Sequence, residues 1–218
     1  MRTYIAPIGY DSTRVTRPIL SQGIERETRI NLLIPTTTTD DSRGAQAIDD
    51  VRRMVEQIEP SVEVETTKVP HDDFETAIGI CGSLIDAAGG EVVIIFGGGA
   101  RDIFLPLTVA ALSQTNQIHA SYQFSDIDGE VRERTLPDLT ANAPAQAKST
   151  LDTIRGLDTP VSLTDITAAV NVSKSTVTRH VKLLERHGLV TSETHGKTKV
   201  VEVTPTGRLL ISRANSPM

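Results

Sequence analysis

The stretch VVIIFGGGARDIF, residues 92–104, decides how the chain is read. Five consecutive apolar residues run into three glycines, then an arginine, an aspartate and a second apolar run. EVVIIF (91–96) does not alternate, which is the pattern of a central parallel strand covered on both faces. IFLPLTVAALSQ (103–114) follows with the character of a helix. Proline is comfortable only in a helix's first turn, so Pro106 sets the expected start at Asp102–Phe104. That leaves Gly97–Arg101 as irregular backbone at the carboxyl end of a strand.

Outward from this point the chain alternates strand and helix. RTYIAPI (2–8) and RINLLIP (29–35) read as strands, and VEVETTKV (62–69) alternates in a β-like way. Between them, a short helix ends near Gly23, and Ala47, Ile48, Val51, Met54, Val55 and Ile58 recur at helical spacing. DFETAIGICGSLIDAAGG is a further helix closed by glycines. QIHASYQF and EVRERTL flank SDIDG, whose Asp128-Gly129 reads as a hairpin turn. The expected fold class is α/β: a Rossmann-like, doubly wound, mostly parallel sheet with an antiparallel edge, followed by a second domain. Ligands on such sheets bind beyond the carboxyl ends of the strands, where the strand order reverses. The loops at 9–14 and 97–102 both follow a strand and should meet there.

The 218 residues carry a net charge of −6, unevenly spread. Residues 1–144 hold 12 Lys and Arg against 22 Asp and Glu, a net −10, whereas residues 145–218 hold 10 against 6, a net +4. An acidic body with a basic end points to a nucleic-acid partner for one part only. The excess of Arg over Lys, 16 to 6, together with the acidity, hints at a high-salt cytoplasm. Lone Cys81 excludes a disulfide framework and a cysteine-based zinc site, and its apolar helical setting makes it a core residue. No apolar run approaches a membrane span, and no signal-peptide layout is present. A cytoplasmic protein is expected.

The domains are expected at 1–137 and 148–218, joined by a Pro/Ala/Asn-rich linker at 138–147. Within SLTDITAAVNVSKSTVTRHVKLLERHGLV (162–190), Ser162 or Thr164 caps one helix, Asn171–Ser173 turns, and Ser173 caps a second that Gly188 stops. On that second helix Val177, Val181 and Leu184 fall on one side, opposite Ser175, Arg179, Lys182 and Arg186. One face packs, and the other offers hydroxyls and cations to base edges and phosphates. Ser173, Lys174, Thr176 and Thr178 complete the expected DNA-facing set. LVTSE and KVVEV then flank a basic turn with His195, Lys197 and Lys199, as the wing beside a recognition helix would. This segment resembles the winged helix-turn-helix domains of MarR- and ArsR-type regulators. The competing use is as a protein-interaction module, which the basic outward face disfavours.

Three glycines after a buried strand have several readings. A tight turn needs one. A dinucleotide site needs G-x-G-x-x-G after the first strand, where only Gly9 stands; a Walker A loop needs Gly-Lys-Ser/Thr, which is absent. The remaining reading is an anion or nucleotide site of backbone N–H groups ahead of a helix N-terminus, with Arg101 adding charge. Together, GGGARDI and the first-strand loop GYDSTRV resemble the CARF family, the Rossmann-like sensory domains of CRISPR-Cas systems. A CARF domain followed by a winged helix is similar to the archaeal CRISPR-associated CARF transcription regulators. The resemblance implies a homodimer that binds cyclic oligoadenylate, often cyclic tetra-adenylate, across its two-fold axis. It implies ligand contacts from Gly97, Gly98, Gly99 and Arg101, and from Gly9, Asp11, Ser12, Thr13 and Arg14. Asp11 and Asp102 beside a polyanion are unfavourable unless they cap helices or bond ribose hydroxyls. No convincing general base or metal-ligand cluster stands near these loops, so neither catalysis nor a cofactor is expected. The alternatives are a ring nuclease and a regulator sensing another small nucleotide or metabolite.

Overall fold

Runs of buried β-branched residues make the centre of the first sheet. The computed structural model describes residues 1–36, 41–158, 160–196 and 198–214. In it β1 (Arg2–Pro7), β2 (Thr28–Pro35), β3 (Glu63–Val69), β4 (Glu91–Phe96), β5 (Ile118–Phe124) and β6 (Val131–Glu133) form a six-stranded sheet of order β3-β2-β1-β4-β5-β6. The first five strands are parallel, and β6 returns antiparallel to β5. The central pair, β1 and β4, is buried along nearly its whole length, whereas β3, near the edge, alternates and stays largely exposed.

The crossovers are α1 (Thr13–Gln22), α2 (Ser42–Ile58), α3 (Phe74–Ala87) and α4 (Arg101–Ser113). Successive strand residues point to opposite faces. Tyr4, Ala6, Ile30, Leu32, Val93 and Ile95 therefore share one core with Val15 and Ile19 of α1 and Val51 and Val55 of α2. Cys81 is fully buried in α3, and burial pushes its thiol up to about 11, so it is a neutral packing residue. Because the chain winds from β1 to β3 on one side and then places β4 on the other, the strand order reverses between β1 and β4.

Two helix starts differ from the sequence expectation. α4 begins at Arg101, with Ala100 before it, so Pro106 lies inside the helix rather than in its first turn. Pro18 occupies the same sixth position in α1. A proline there has no N–H for the carbonyl four residues back, which leaves the carbonyls of Arg14 and Asp102 without their helical donor.

The described chain divides into two compact units, Met1–Thr135 and Leu136–Met218. The second contains α5 (Lys148–Gly156), β7 (Val161–Ser162), α6 (Leu163–Val170), α7 (Lys174–Arg186), β8 (Val190–His195), β9 (Thr198–Val203) and α8 (Pro205–Ala214). Its sheet has the antiparallel order β7-β9-β8. Leu151, Ile154, Ile166, Val177, Val181, Leu184, Leu189 and Val201 make its core. Residues 138–147, expected as a linker, fold onto this unit. Ala147 is buried in its core, Ala141 and Ala143 pack against it, and the Asp138 N–H donates to Thr206 Oγ1 at 3.0 Å. No helix among the described residues is long and apolar enough to cross a membrane.

Candidate functional site

The loops after β1 and β4 leave the sheet side by side at its point of reversal, and between them and the β2–α2 connection opens a cleft of about 480 Å³. One wall is loop backbone: Ile8, Gly9, Asp11, Gly98 and Gly99, with Arg14 from the first turn of α1. The opposite wall comes from the end of β2 and the start of α2: Ile34, Pro35, Asp41, Gly44, Ala45 and Ile48. Asp41 caps α2, accepting from the Gly44 N–H at 3.0 Å. Tyr10 stands at the mouth, 60% exposed, with the Arg43 guanidinium 4.4 Å from its ring centre.

The glycines answer first to each other's backbone. Gly97 is buried, and a methyl group on it would overlap the carbonyl oxygen of Arg14, the oxygen that Pro18 leaves free of the helix. Gly99 has φ +84°, and a side chain there would come within 2.7 Å of Pro7 Cβ. A Cβ on Gly9 would sit 3.2 Å from the Gly99 nitrogen, and one on Gly98 would sit 3.3 Å from the Pro7 oxygen. The sequence reading assigned this bareness to an approaching ligand. The structure assigns it to two loops packed main chain on main chain, with Gly98 and Gly99 also facing the cleft and Gly97 behind it.

The charged residues are already engaged. Asp11 accepts from the Thr13 N–H at 3.0 Å and from Arg14 Nε at 3.4 Å. Partial burial alone would raise the Asp11 carboxyl pKa. The hydrogen bonds from Thr13 and Arg14 outweigh that and hold it below its ordinary value. Asp11 is thus the helix-capping aspartate that the sequence allowed for, while Ser12 makes no side-chain cap bond and serves α1 through its carbonyl, which accepts from Val15 and Thr16. Arg14 also pairs with Asp126 of the β5–β6 turn.

The expected ligand set therefore divides. Gly9, Asp11, Arg14, Gly98 and Gly99 gather at the cleft; Ser12, Thr13 and Gly97 do not line it. Arg101, the first residue of α4, opens on a different recess with His71, Phe74, Phe104 and Leu105. Tyr10, Asp41 and Arg43 were missed. Tyr10 was adjacent to a residue already singled out, but Arg43 joins it only through the β2–α2 crossover, which no local pattern reveals. Among the described residues, no cluster of His, Cys, Asp and Glu could hold a metal ion.

In the second unit α7 presents the expected face. Ser173 caps it, accepting from the Thr176 N–H at 3.2 Å, and its hydroxyl also bonds those of Ser175 and Thr176 at 2.8 and 2.9 Å. Ser175, Thr178, Arg179, Lys182 and Arg186 line one groove along the helix, and Gln146, just ahead of α5, joins them without having been expected. Lys174 is exposed in the first turn, where its carbonyl accepts the Thr178 hydroxyl at 2.8 Å. His180 faces inward instead, buried, with Nδ1 2.7 Å from the Thr150 hydroxyl. The wing departs from expectation. Lys199 pairs with Glu185 of α7 at 3.3 Å, and His195 Nε2 lies 3.4 Å from Glu193, so both side chains have a partner within the unit. Lys197 lies outside the described residues.

Known proteins agree with this two-part arrangement. The helix-turn-helix domain family matches residues 151–193. No curated protein matches the sequence. A solved structure of the Bordetella bronchiseptica regulator BpsR is 24% identical, covering 32% of this chain and 54% of its own, with a TM-score of 0.30. The chain spans about half the length of the first regulators it matches. Enterococcus italicus Csm6, solved with cyclic hexa-2'-fluoro-hexa-dAMP, is 12% identical over 87% of this chain and 56% of its own, at a TM-score of 0.46. Can2 from Sulfobacillus thermosulfidooxidans, solved with cyclic tetra-adenylate, is 12% identical over 92% and 75%, at 0.44. The family described as the Csa3 CRISPR-associated Rossmann-like domain matches residues 2–132, more than half of the chain, with its sheet, its point of reversal and both loops: the chain belongs to that family.

Proposed function

We propose that the protein is a dimeric, DNA-binding transcription regulator of CRISPR-Cas genes, acting in the cytoplasm, whose first unit senses a cyclic oligoadenylate. Cyclic tetra-adenylate is the first ligand to test. The observation that carries this reading is the chemistry of the cleft. Its β2–α2 end is apolar, with Ile34, Pro35, Ala45 and Ile48, and suits a base rather than a phosphate. Its other end offers the glycine backbone and the Arg14 guanidinium, which suit the sugar-phosphate link. Tyr10, exposed beside the Arg43 guanidinium, offers its aromatic ring at the mouth for stacking.

A second copy is favoured by the apolar residues α3 and α4 leave exposed, Phe74 and Leu105 beside Arg101, and Val109 further along α4. DNA binding is favoured by the groove of Arg179, Lys182 and Arg186 on α7. Sensing is favoured over cleavage because the two carboxylates that line the cleft among the described residues, Asp11 and Asp41, each accept a backbone N–H at a helix start, a poor setting for a general base.

The test is calorimetric titration of the full chain with cyclic tetra-adenylate, beside anisotropy with DNA from upstream of its own gene. Binding of both, with the nucleotide recovered intact, is the expected result. Linear product with turnover makes the protein a ring nuclease; no binding of any cyclic oligoadenylate leaves a regulator of another effector.

A further inference from the structure

The β5–β6 turn touches the cleft through one residue. Arg14 lines the cleft and pairs with Asp126, whose side chain is two-thirds exposed. The turn is braced by its own bonds and by α1. The Ser125 N–H donates to Glu130 O and the Gly129 N–H to Ser125 O, both at 2.9 Å, and Arg132 grips Asp128 at 3.0 Å. Ile127 at its tip is 97% exposed. Arg17, one turn beyond Arg14 on α1, holds the turn a second time through Gly129 O at 3.0 Å and lies 6.0 Å from the Phe124 ring centre.

We propose that Asp126 is a built-in stand-in for the ligand's phosphate. Its carboxylate occupies Arg14 in the empty protein, and an arriving phosphate displaces it and loosens the β5–β6 turn. This rests on the reading of the cleft as a nucleotide site. Arg14 faces two carboxylates, Asp11 and Asp126, so the cation of the cleft is over-neutralised before any ligand arrives. Asp11 is tied into the start of α1 by Thr13 and stays. Among the described residues Asp126 caps no helix start, and Arg17 keeps hold of the turn through Gly129 when Asp126 lets go, so it is the carboxylate freer to leave. A phosphodiester carries the same single negative charge as the Asp126 carboxylate and offers Arg14 two unbridged oxygens, where Asp126 engages it through one. An exposed ion pair is weakly held and readily exchanged. The site would thus set its own affinity and report occupancy to the far side of α1.

The experiment compares the full-length wild type, Asp126→Asn and Asp128→Asn. Amide exchange of residues 125–130 is followed with and without millimolar pyrophosphate, and cyclic tetra-adenylate is titrated into each. Asp126→Asn should bind the nucleotide roughly fivefold more tightly, the worth of one exposed ion pair, and should exchange faster in the turn before any ligand is added. Pyrophosphate should speed that exchange in the wild type and in Asp128→Asn but not in Asp126→Asn. If Asp126→Asn exchanges in the turn like the wild type and pyrophosphate changes neither, the stand-in role is overturned. Equal tightening in Asp128→Asn overturns it too, because loss of any nearby negative charge would then suffice. If no protein binds cyclic tetra-adenylate, the proposed effector falls, while the pyrophosphate arm still decides the role of Asp126.

Discussion

Gly97 and Gly79 make opposite demands although both are glycines. Gly97 is buried against the Arg14 carbonyl, whereas Gly79 lies on α3 with open space where its side chain would be. Gly97→Ala must push the β4 loop and the first turn of α1 apart, and overpacking of this kind costs about 1–3 kcal/mol. Gly79→Ala replaces a poor helix former by the best one and should add about 0.5–1 kcal/mol. Denaturant unfolding of the two variants beside wild type checks the signs, and equal effects would mean the loops are not packed as described. The sequence made residues 97–99 stand out because three glycines exceed what a turn needs. It could not tell what they clear space for, since the neighbour is a carbonyl some 80 positions earlier in the chain, freed by a proline. Arg101 shows the same limit: two residues beyond the glycines along the chain, it opens α4 and lines a different recess.

Among elements, the helices with strong periodicity or clear caps were legible, and the short ones filling gaps were not. α7 announced itself through Ser173, Gly188 and a two-sided pattern. α5 did not, because it has nine residues and its contributions, Thr150, Leu151 and Ile154, matter only once α7 lies against them. On α7, Arg179→Ala and Lys182→Ala should each weaken DNA binding and lower the slope of log affinity against log salt by about one phosphate contact. Lys199→Ala should leave that slope unchanged, because Lys199 is committed to Glu185; anisotropy at several salt concentrations separates these outcomes. A pH effect belongs to α3. Its cap, Asp73, is held below the ordinary carboxylate range, first by the Thr76 hydroxyl and then by the Thr76 N–H. A depressed folded-state pKa contributes stability that is present above the unfolded value, about 3.9, and lost as pH falls through the folded one. Asp73→Asn should therefore flatten the fall in stability below about pH 4, as measured by urea unfolding across that range.

At the scale of the whole molecule, the charge asymmetry and the two units raise a question that neither unit answers alone: whether the cleft speaks to the DNA-facing helix. A ligand shifts DNA affinity only by its preference between two arrangements of the molecule. That coupling is reciprocal. If cyclic tetra-adenylate changes the affinity for operator DNA by some factor, bound DNA must change the affinity for the nucleotide by the same factor. Both ratios are measurable on the full chain, by anisotropy with saturating nucleotide and by calorimetry with saturating DNA. Equal ratios of about 5- to 150-fold, the usual range of such coupling, are expected. Tyr10→Ala, which removes the stacking ring, should weaken the nucleotide and leave DNA binding without nucleotide as it was. Ratios of one in both directions, with both ligands bound, would mean the two units share a chain without sharing a function, and the regulator would then answer to something other than this cleft.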